Sequence, residues 1–196
     1  MTCIVGINTG KKIIIAGDRM ASNGFIKMQL NCTKIFKKDD FIFGICGSGR
    51  VAQLLEYKLI IPKRYVGQSI ENYIYTAFTD AVILVLEKNN VLELKNGIKS
   101  FFGSFLFGYE DKLYHMYDNF ESLDDSRGYD AAGSGCYHAT ASLYSTQGLN
   151  ITPEERLKKA IECANEFVVS VDNKVDMVEL EYKKVTKKSK KAKSKK

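Results

Sequence analysis

The sequence has few of the features that mark metalloproteins, membrane proteins or secreted proteins. It contains two histidines, His115 and His138, and no Cys-x-x-Cys pair, so a metal site has no obvious ligands. We therefore expect neither a metal nor another cofactor. No stretch approaches roughly 18 consecutive apolar residues, and no basic segment followed by a long apolar run opens the chain. These absences predict a cytoplasmic protein without a membrane partner.

The cysteines do not form a disulfide framework. Their number is odd and none of their spacings is tight, so we expect free thiols in a reducing compartment. They are Cys3, Cys32, Cys46, Cys136 and Cys163. A repeat of solenoid length is also missing.

The positive charge is concentrated at one end of the chain. The net charge is +6, but residues 183–196 hold nine lysines and no acid, which leaves −3 for residues 1–182. Such a block cannot bury enough apolar surface to order itself, so a disordered lysine-rich tail is expected there. It would serve solubility or contact nucleic acid in a salt-sensitive way. The remaining length and the 45% hydrophobic content predict one domain over 1–182.

The hydrophobic pattern predicts strands and helices in separate runs along the chain. Predicted strands cover 3–8, 12–16, 25–28, 34–36, 41–46, 101–108, 112–117, 129–132 and 177–185. Predicted helices cover 50–61, 68–88, 136–147 and 153–169. A loop is expected between residues 89 and 100. The order of strands, two helices, strands, two helices and a strand favours an α+β fold, a four-layer αββα sandwich with two facing sheets and a helical pair outside each.

Thr2 is the first candidate for chemistry. Many chains begin with Met-Thr, and a threonine hydroxyl alone is a weak nucleophile. Removal of Met1 would place an α-amine, with an ordinary pKa of about 7.7 to 8.0, in the same residue as that hydroxyl. The amine could then accept the hydroxyl proton and replace the histidine of a serine triad.

Lys34 and Asp18 are the candidates that would tune this amine. A nearby ammonium disfavours the protonated amine by charge repulsion, and a partly buried lysine needs a carboxylate partner. Without further support, Asp18 would be a turn residue after Gly17, and Lys34 one surface lysine among many.

Several segments together resemble one family. The segments MTCIVGI, IIIAGDRMAS, CTKIF, FGICGSG and AAGSG are similar to the proteasome β-subunit and HslV peptidases, which are N-terminal-nucleophile hydrolases. Asp18 and Lys34 lie 16 and 32 positions after Thr2, as the structural aspartate and catalytic lysine of that family do. The resemblance covers residues 2–182 and extends to shorter proteasome-like proteins of bacteria and phages.

The resemblance implies a threonine-type peptidase and several further site residues. Gly47 resembles the glycine whose N–H forms the oxyanion hole, although Ser48 leaves that register open by one position. Ser134 resembles the serine that hydrogen-bonds the terminal amine. For both segments the alternative is a glycine turn before a helix. The implied partners are a peptide or unfolded protein substrate, identical subunits in a homo-oligomeric ring and an ATP-dependent unfoldase.

The sequence departs from the family near the end of the domain. Proteasome β subunits carry Asp-x-x-Ser-Gly-Gly there, whereas this chain has Ser170-Val171-Asp172-Asn173, and Asp172 is the candidate it offers. Cys3 is a stronger intrinsic nucleophile than Thr2, but its distances to Asp18 and Lys34 are one residue short. Arg19 and Arg50 would line a substrate groove or be solvated charges. Maturation is expected to need only methionine aminopeptidase.

Three other functions fit the same sequence. A non-catalytic scaffold of the same fold would keep Met1 and be unreactive at Thr2. A small-molecule amidase of the same superfamily would use Thr2 on other substrates. A nucleic-acid-associated protein would depend on residues 183–196.

Overall fold

A computed structural model describes residues 2–23 and 25–182. Met1, the predicted tail at 183–196 and the end of the last predicted strand lie outside the described residues. The strands are β1 Cys3–Asn8, β2 Lys12–Asp18, β3 Met20–Ser22, β4 Lys27–Gln29, β5 Ile35–Lys38, β6 Phe41–Gly47, β7 Leu92–Lys95, β8 Ile98–Phe101, β9 Gly103–Tyr109, β10 Lys112–Met116, β11 Ser122–Leu123, β12 Tyr129–Gly133 and β13 Val175–Glu181. The helices are α1 Gly49–Tyr57, α2 Ile70–Tyr73, α3 Thr79–Glu87, α4 Cys136–Ser145 and α5 Pro153–Phe167.

Two antiparallel sheets form the centre of the molecule. The first sheet has the order β12-β1-β2-β13, and the second has the order β11-β10-β9-β6-β5. Two further pairs, β3 with β4 and β7 with β8, are separate hairpins. Because β1 lies between β12 and β2, the residue before it is flanked by the ends of two neighbouring strands.

The two sheets approach closely at a pair of glycines. A Cβ atom on Gly44 of the second sheet would lie 2.5 Å from Cγ2 of Ile4, and one on Gly17 of the first sheet would lie 3.1 Å from Cγ2 of Ile35. Ile4, Ile13, Ile15 and other aliphatic side chains fill this inner layer. Glycine at both positions therefore lets isoleucine side chains of one sheet pack directly on the backbone of the other.

Each sheet is covered on its outer face by helices. Phenylalanines of β6 and β9 pack with α1, α3 and the π-turn at Ile74–Phe78 on one side. Valine, alanine and isoleucine side chains of β1 and β2 pack with α4 and α5 on the other. The predicted α+β class and αββα sandwich are thus confirmed. Among the described residues no helix is long and apolar enough to cross a membrane.

Two regions differ from the sequence prediction. The helix expected over 68–88 is divided by the π-turn at Ile74–Phe78, where the Thr79 hydroxyl donates to the Ile74 carbonyl at 2.7 Å. The loop expected after residue 88 contains the β7–β8 hairpin. Its turn residues Asn96 and Gly97 both have positive φ, as a two-residue hairpin turn requires.

Smaller differences lie at the ends of elements. The first helix ends at Tyr57 rather than at residue 61, and α5 ends at Phe167 rather than at 169. The short strands β3 and β11 had no counterpart in the sequence prediction. None of these differences moves Thr2, Asp18 or Gly47 away from the ends of β1, β2 and β6.

Candidate active site

Thr2 lies at the start of β1, against the turn that joins β12 to α4. Its side chain and backbone are 5% exposed. Its backbone N–H donates to Ser134 Oγ at 3.2 Å, and its carbonyl accepts from Gly135 N–H at 3.3 Å. A Cβ atom on Gly133 would lie 2.2 Å from that carbonyl oxygen, and Gly133 has a φ of +94°. Glycine is therefore required for Thr2 to dock here.

Asp18 ends β2 and is completely buried. Its Oδ1 accepts from the Cys3 backbone N–H at 2.8 Å and from Lys34 Nζ at 2.8 Å. Its Oδ2 accepts from the Met20 N–H at 3.1 Å. One carboxylate thus joins the Lys34 ammonium to the peptide group that follows Thr2.

Lys34 lies just before β5, in the second sheet, and its side chain is 9% exposed. The ammonium also donates to the Met20 carbonyl at 2.5 Å. A buried ion pair is tolerated when hydrogen bonds satisfy both groups, and here each partner has at least two. The arrangement fixes the ammonium at the wall of a cavity of about 430 Å³ that Thr2 also lines.

Gly47 lines the same cavity and ends β6. It has a φ of +96°, and a Cβ atom there would lie 2.4 Å from Gly103 Cα. The neighbouring Ser48 is engaged elsewhere, since its N–H donates to the Phe102 carbonyl at 3.1 Å and its hydroxyl caps α1. Of the two candidates in this turn, Gly47 is the one whose N–H is not bound to Phe102.

Ser134 is linked to a serine that the sequence reasoning passed over. Ser134 Oγ lies 3.1 Å from Ser170 Oγ, and Ser170 is 1% exposed. The Asp172 carboxylate instead accepts from the backbone N–H groups of Arg19 and Lys174, both at 3.2 Å. The signal for Ser170 was its place two residues before Asp172, in the segment that departs from the family pattern.

The remaining candidates have other surroundings. Arg19 binds Asp176 through Nε and Nη2, both at 2.6 Å, so its guanidinium is an ion-pair partner on β13. Arg50 is exposed at the start of α1. Burial raises the pKa of the Cys3 thiol far above its ordinary value, with a further contribution from Asp18. The thiol stays protonated, which disfavours Cys3 as a nucleophile.

Metal-binding groups do not gather within the described ranges. Over residues 2–23 and 25–182 there is no group of three or more histidine, cysteine, aspartate and glutamate side chains placed to hold an ion.

Curated relatives and solved structures resemble the chain over most of its length. No protein-family model matches it. It is 28% identical over 172 residues to the proteasome subunit beta 2 of Pyrococcus abyssi, covering 85% of this chain and 79% of that protein. It is 29% identical over 177 residues to the proteasome subunit beta 1 of Thermococcus sibiricus, covering 84% and 77%.

Solved structures show the same fold. BPH of Thiobacillus denitrificans superposes with a TM-score of 0.80 at 18% identity, covering 93% of this chain and 100% of that one. The same protein in complex with epoxomicin gives a TM-score of 0.78 at 18% identity, with the same coverage. HslV of Trypanosoma brucei gives 0.68 at 20% identity, covering 92% and 100%.

Proposed function

We propose that this chain is a proteasome-like member of the N-terminal-nucleophile hydrolases, and that it is a threonine peptidase that cuts peptide bonds with Thr2 after Met1 is removed. The observation that carries the proposal is the Asp18 carboxylate. It binds the Lys34 ammonium and the N–H that follows Thr2, each at 2.8 Å.

In this mechanism Thr2 Oγ1 attacks the carbonyl carbon of the substrate, and the freed α-amine takes the hydroxyl proton. The carbonyl oxygen becomes an oxyanion that the Gly47 N–H stabilises, a contact of a kind worth about 2.7 to 4 kcal/mol. The amine of the leaving peptide departs with the proton. Water then attacks the acyl ester and gives a proton to the α-amine. The amine passes that proton to Thr2 Oγ1 as the carboxylic acid of the cleaved peptide leaves.

Lys34 keeps the α-amine basic but uncharged in this proposal. Its ammonium lies on the same cavity wall as Thr2 and disfavours a second positive charge nearby. Asp18 neutralises the lysine from the buried side, away from the cavity. The amine can therefore remain a proton acceptor near neutral pH.

Ser134 and Ser170 orient the amine, and Asp172 acts indirectly by positioning the loop of Ser170. Ser134 Oγ accepts from the nitrogen of Thr2, and Ser170 can donate to Ser134. The Asp172 carboxylate holds the loop that carries Ser170 against the backbone of Arg19. In this chain Ser170 would thus support the amine, a task that the Asp-x-x-Ser-Gly-Gly element performs in proteasome β subunits.

The cavity beside Thr2 suits an apolar side chain on the amino side of the cut. Its walls include Met20, Ala21, Ile45 and Ala52, with Lys34 at the reacting end. At about 430 Å³ it can hold one large side chain. We therefore propose peptides or unfolded proteins with an apolar residue before the scissile bond as substrates.

We further propose a homo-oligomeric ring fed by an ATP-dependent unfoldase, in the cytoplasm. The relatives are named as proteasome subunits, and the hairpin of β3 and β4 carries exposed apolar side chains. Phe25 is 96% exposed, Ile26 67% and Met28 62%. Light scattering on the full chain should give a multimer, and Phe25→Ser should shift it toward smaller species.

The test of the enzyme is intact-mass analysis before and after treatment with epoxomicin or a peptide boronate. The expected result is loss of Met1 and one adduct that maps to Thr2. Thr2→Ala should abolish the adduct, whereas Thr76→Ala, an exposed helical threonine, should not. Retained Met1 without an adduct would favour the scaffold, and an adduct with turnover of small amides but not peptides would favour the amidase.

The nucleic-acid alternative has its own test. It predicts binding that weakens steeply with salt and disappears when residues 183–196 are deleted. The peptidase proposal predicts that this deletion leaves Thr2 labelling unchanged.

A further inference from the structure

A second hydrogen-bonded constellation lies across the two sheets, beside the Thr2 corner. Asp130 Oδ2 is 2.9 Å from His115 Nδ1, and His115 Nε2 is 3.1 Å from Ser104 Oγ. Ser104 is on β9 and His115 on the adjacent strand β10, whereas Asp130 comes from β12 of the facing sheet. The order carboxylate, imidazole, hydroxyl is that of a charge-relay triad.

Chemistry assigns the proton positions in this chain of bonds. An ionised carboxylate can only accept, so Asp130 fixes the proton on His115 Nδ1 and leaves Nε2 with a lone pair. Nε2 is then the acceptor for the Ser104 hydroxyl. The ring is held in this orientation because it is 7% exposed and stacks on Tyr117 with centroids 4.2 Å apart.

Cys46 completes the surroundings of Ser104. Cys46 Sγ lies 3.2 Å from Ser104 Oγ and 3.1 Å from the Ser104 carbonyl oxygen. Burial raises the pKa of the Cys46 thiol, so it remains a donor at neutral pH. When the thiol hydrogen points to Ser104 Oγ, the serine hydrogen can face the imidazole.

Ser104 also faces open space. It lines a cavity of about 270 Å³ whose wall includes Thr2, Ser134 and the glycines at 47, 103 and 133. Lys34 is not among the lining residues of this cavity, which adjoins the larger one described above and shares Thr2, Cys46 and Gly47 with it. Glycines on its wall leave backbone close to an entering carbonyl group.

A purely structural role would be a polar bridge that pins the two sheets together at their edge. Such a bridge needs Asp130 and His115 but gains nothing from a partly buried serine on a cavity wall. A structural bridge does not explain why the hydrogen bonds continue from the partly exposed Asp130 carboxylate to a hydroxyl that faces a cavity.

We propose that Ser104, His115 and Asp130 form a second nucleophilic site, which takes small carboxylic esters. Ser104 Oγ bonds to the acyl carbon while its proton passes to His115 Nε2. The C–O bond to the alcohol breaks, and the leaving alkoxide takes that proton. Water then attacks the acyl-serine and gives a proton to Nε2, which returns it to Ser104 Oγ as the carboxylic acid leaves.

The cavity that Ser104 faces also contains Thr2, so the test uses the full chain with Thr2→Ala to remove the other nucleophile. The protein is treated with phenylmethylsulfonyl fluoride, in which Ser104 Oγ would displace fluoride from sulfur, and modified residues are mapped by tandem mass spectrometry. We expect modification at Ser104 and not at Ser145, an exposed helical serine whose hydroxyl donates to the Ser142 carbonyl. Absence of modification at Ser104 in folded protein would overturn the proposal.

Variants separate an activated serine from one that is merely accessible. In the Thr2→Ala background, His115→Gln should slow modification at Ser104 by about 10²-fold or more, because the general base is lost. Asp130→Asn should slow it as well, since an amide no longer fixes the proton on Nδ1. Equal rates in a folded His115→Gln or Asp130→Asn protein would contradict the proposal, and circular dichroism establishes folding in each case.

Ester turnover supplies the final readout. Release of nitrophenolate from p-nitrophenyl acetate should be faster in the Thr2→Ala protein than in the same protein carrying Ser104→Ala. Equal rates would show that Ser104 does not turn over esters, and the proposal would fail while the peptidase proposal stood.

Discussion

Two ion pairs begin at consecutive residues and have opposite surroundings. Asp18 is completely buried and its partner Lys34 is 9% exposed at the side chain, with the charged atoms 2.8 Å apart. The next residue, Arg19, pairs with Asp176 at 2.6 Å, but these side chains are 36% and 18% exposed. The more exposed pair has the shorter contact and is bidentate, since two guanidinium nitrogens bind the two carboxylate oxygens.

The difference shows that distance alone does not rank these pairs. Solvent screens the Arg19–Asp176 pair, whereas the Asp18–Lys34 pair lies where an uncompensated charge is costly. The pairs also join different parts. Asp176 lies on β13, the neighbour of β2 in one sheet, while Lys34 belongs to the other sheet. Of these two pairs, the buried one connects the two sheets at the candidate site.

Asp18→Ala is the strongest way to break this contrast. It removes the acceptor for two backbone N–H groups and leaves the Lys34 ammonium buried without its carboxylate. We expect a loss of about 3 to 5 kcal/mol in the free energy of unfolding, measured by chemical denaturation, and no peptidase activity. A loss below about 1 kcal/mol would show that water reaches this pair as freely as a surface one.

Lys34→Met should lower both activity and stability, because it leaves the buried Asp18 carboxylate without its countercharge. The apolar stem is kept, and Asp18 retains its hydrogen bonds from the Cys3 and Met20 N–H groups. Without the ammonium the freed amine of Thr2 stays protonated more often, so we expect kcat/KM on a peptide substrate to fall by about 10²-fold or more.

The matched control for Lys34→Met is Lys37→Met, which removes an exposed lysine of β5. It should leave kcat/KM within about twofold of the parent. Similar losses in both variants would mean that net charge, rather than the placement of Lys34, governs the rate.

Asp176→Asn sharpens the comparison from the exposed side. It takes away the charge but keeps a side-chain oxygen that can accept from Arg19. We expect a change in Tm of less than about 2 °C by calorimetry, smaller still in high salt. A decrease in Tm as large as that caused by Asp18→Ala would show that the exposed pair contributes as much to stability as the buried pair.

The smallest expected effect is at a third pair, between Lys12 and Glu154, which lie 2.9 Å apart. The hydrogen bond from Lys12 lowers the pKa of Glu154 below its ordinary value of 4.5. The stability gained from this shift is present above pH 4.5 and is lost as pH falls through the lower folded-state pKa. The Tm advantage over Glu154→Gln should be below about 2 °C at neutral pH and should vanish in acid.

Parts of the fold with local signals could be predicted closely. The start of α5 follows from Thr152 as cap and Pro153 at the first position, and the structure adds the reciprocal bond from Glu155. The π-turn inside the long helix keeps the apolar stripe intact, so periodicity alone did not reveal it. The β7–β8 hairpin was missed because each of its strands spans only four residues, although Asn96-Gly97 is a strong turn signal.

The site was predictable where residues sit at fixed distances from the chain start. Thr2, Asp18 and Lys34 each lie at the end of a strand, so their positions along the sequence predict that they lie close together in the fold. Their catalytic roles stay predictions. Ser170 was missed because a loop serine has no periodic signature, and the link between Ser104, His115 and Asp130 joins strands of two sheets that no local pattern relates.

The glycine contacts at 17 and 44 press the two sheets together beside the bond between Asp18 and Lys34. A small slide of one layer over the other would part these charges while every helix and strand stayed hydrogen-bonded. The activity proposed for Thr2 therefore depends on the alignment of the two sheets. Warming or mild denaturant that loosens the contact between the sheets would abolish this activity well before the backbone signal in circular dichroism changed.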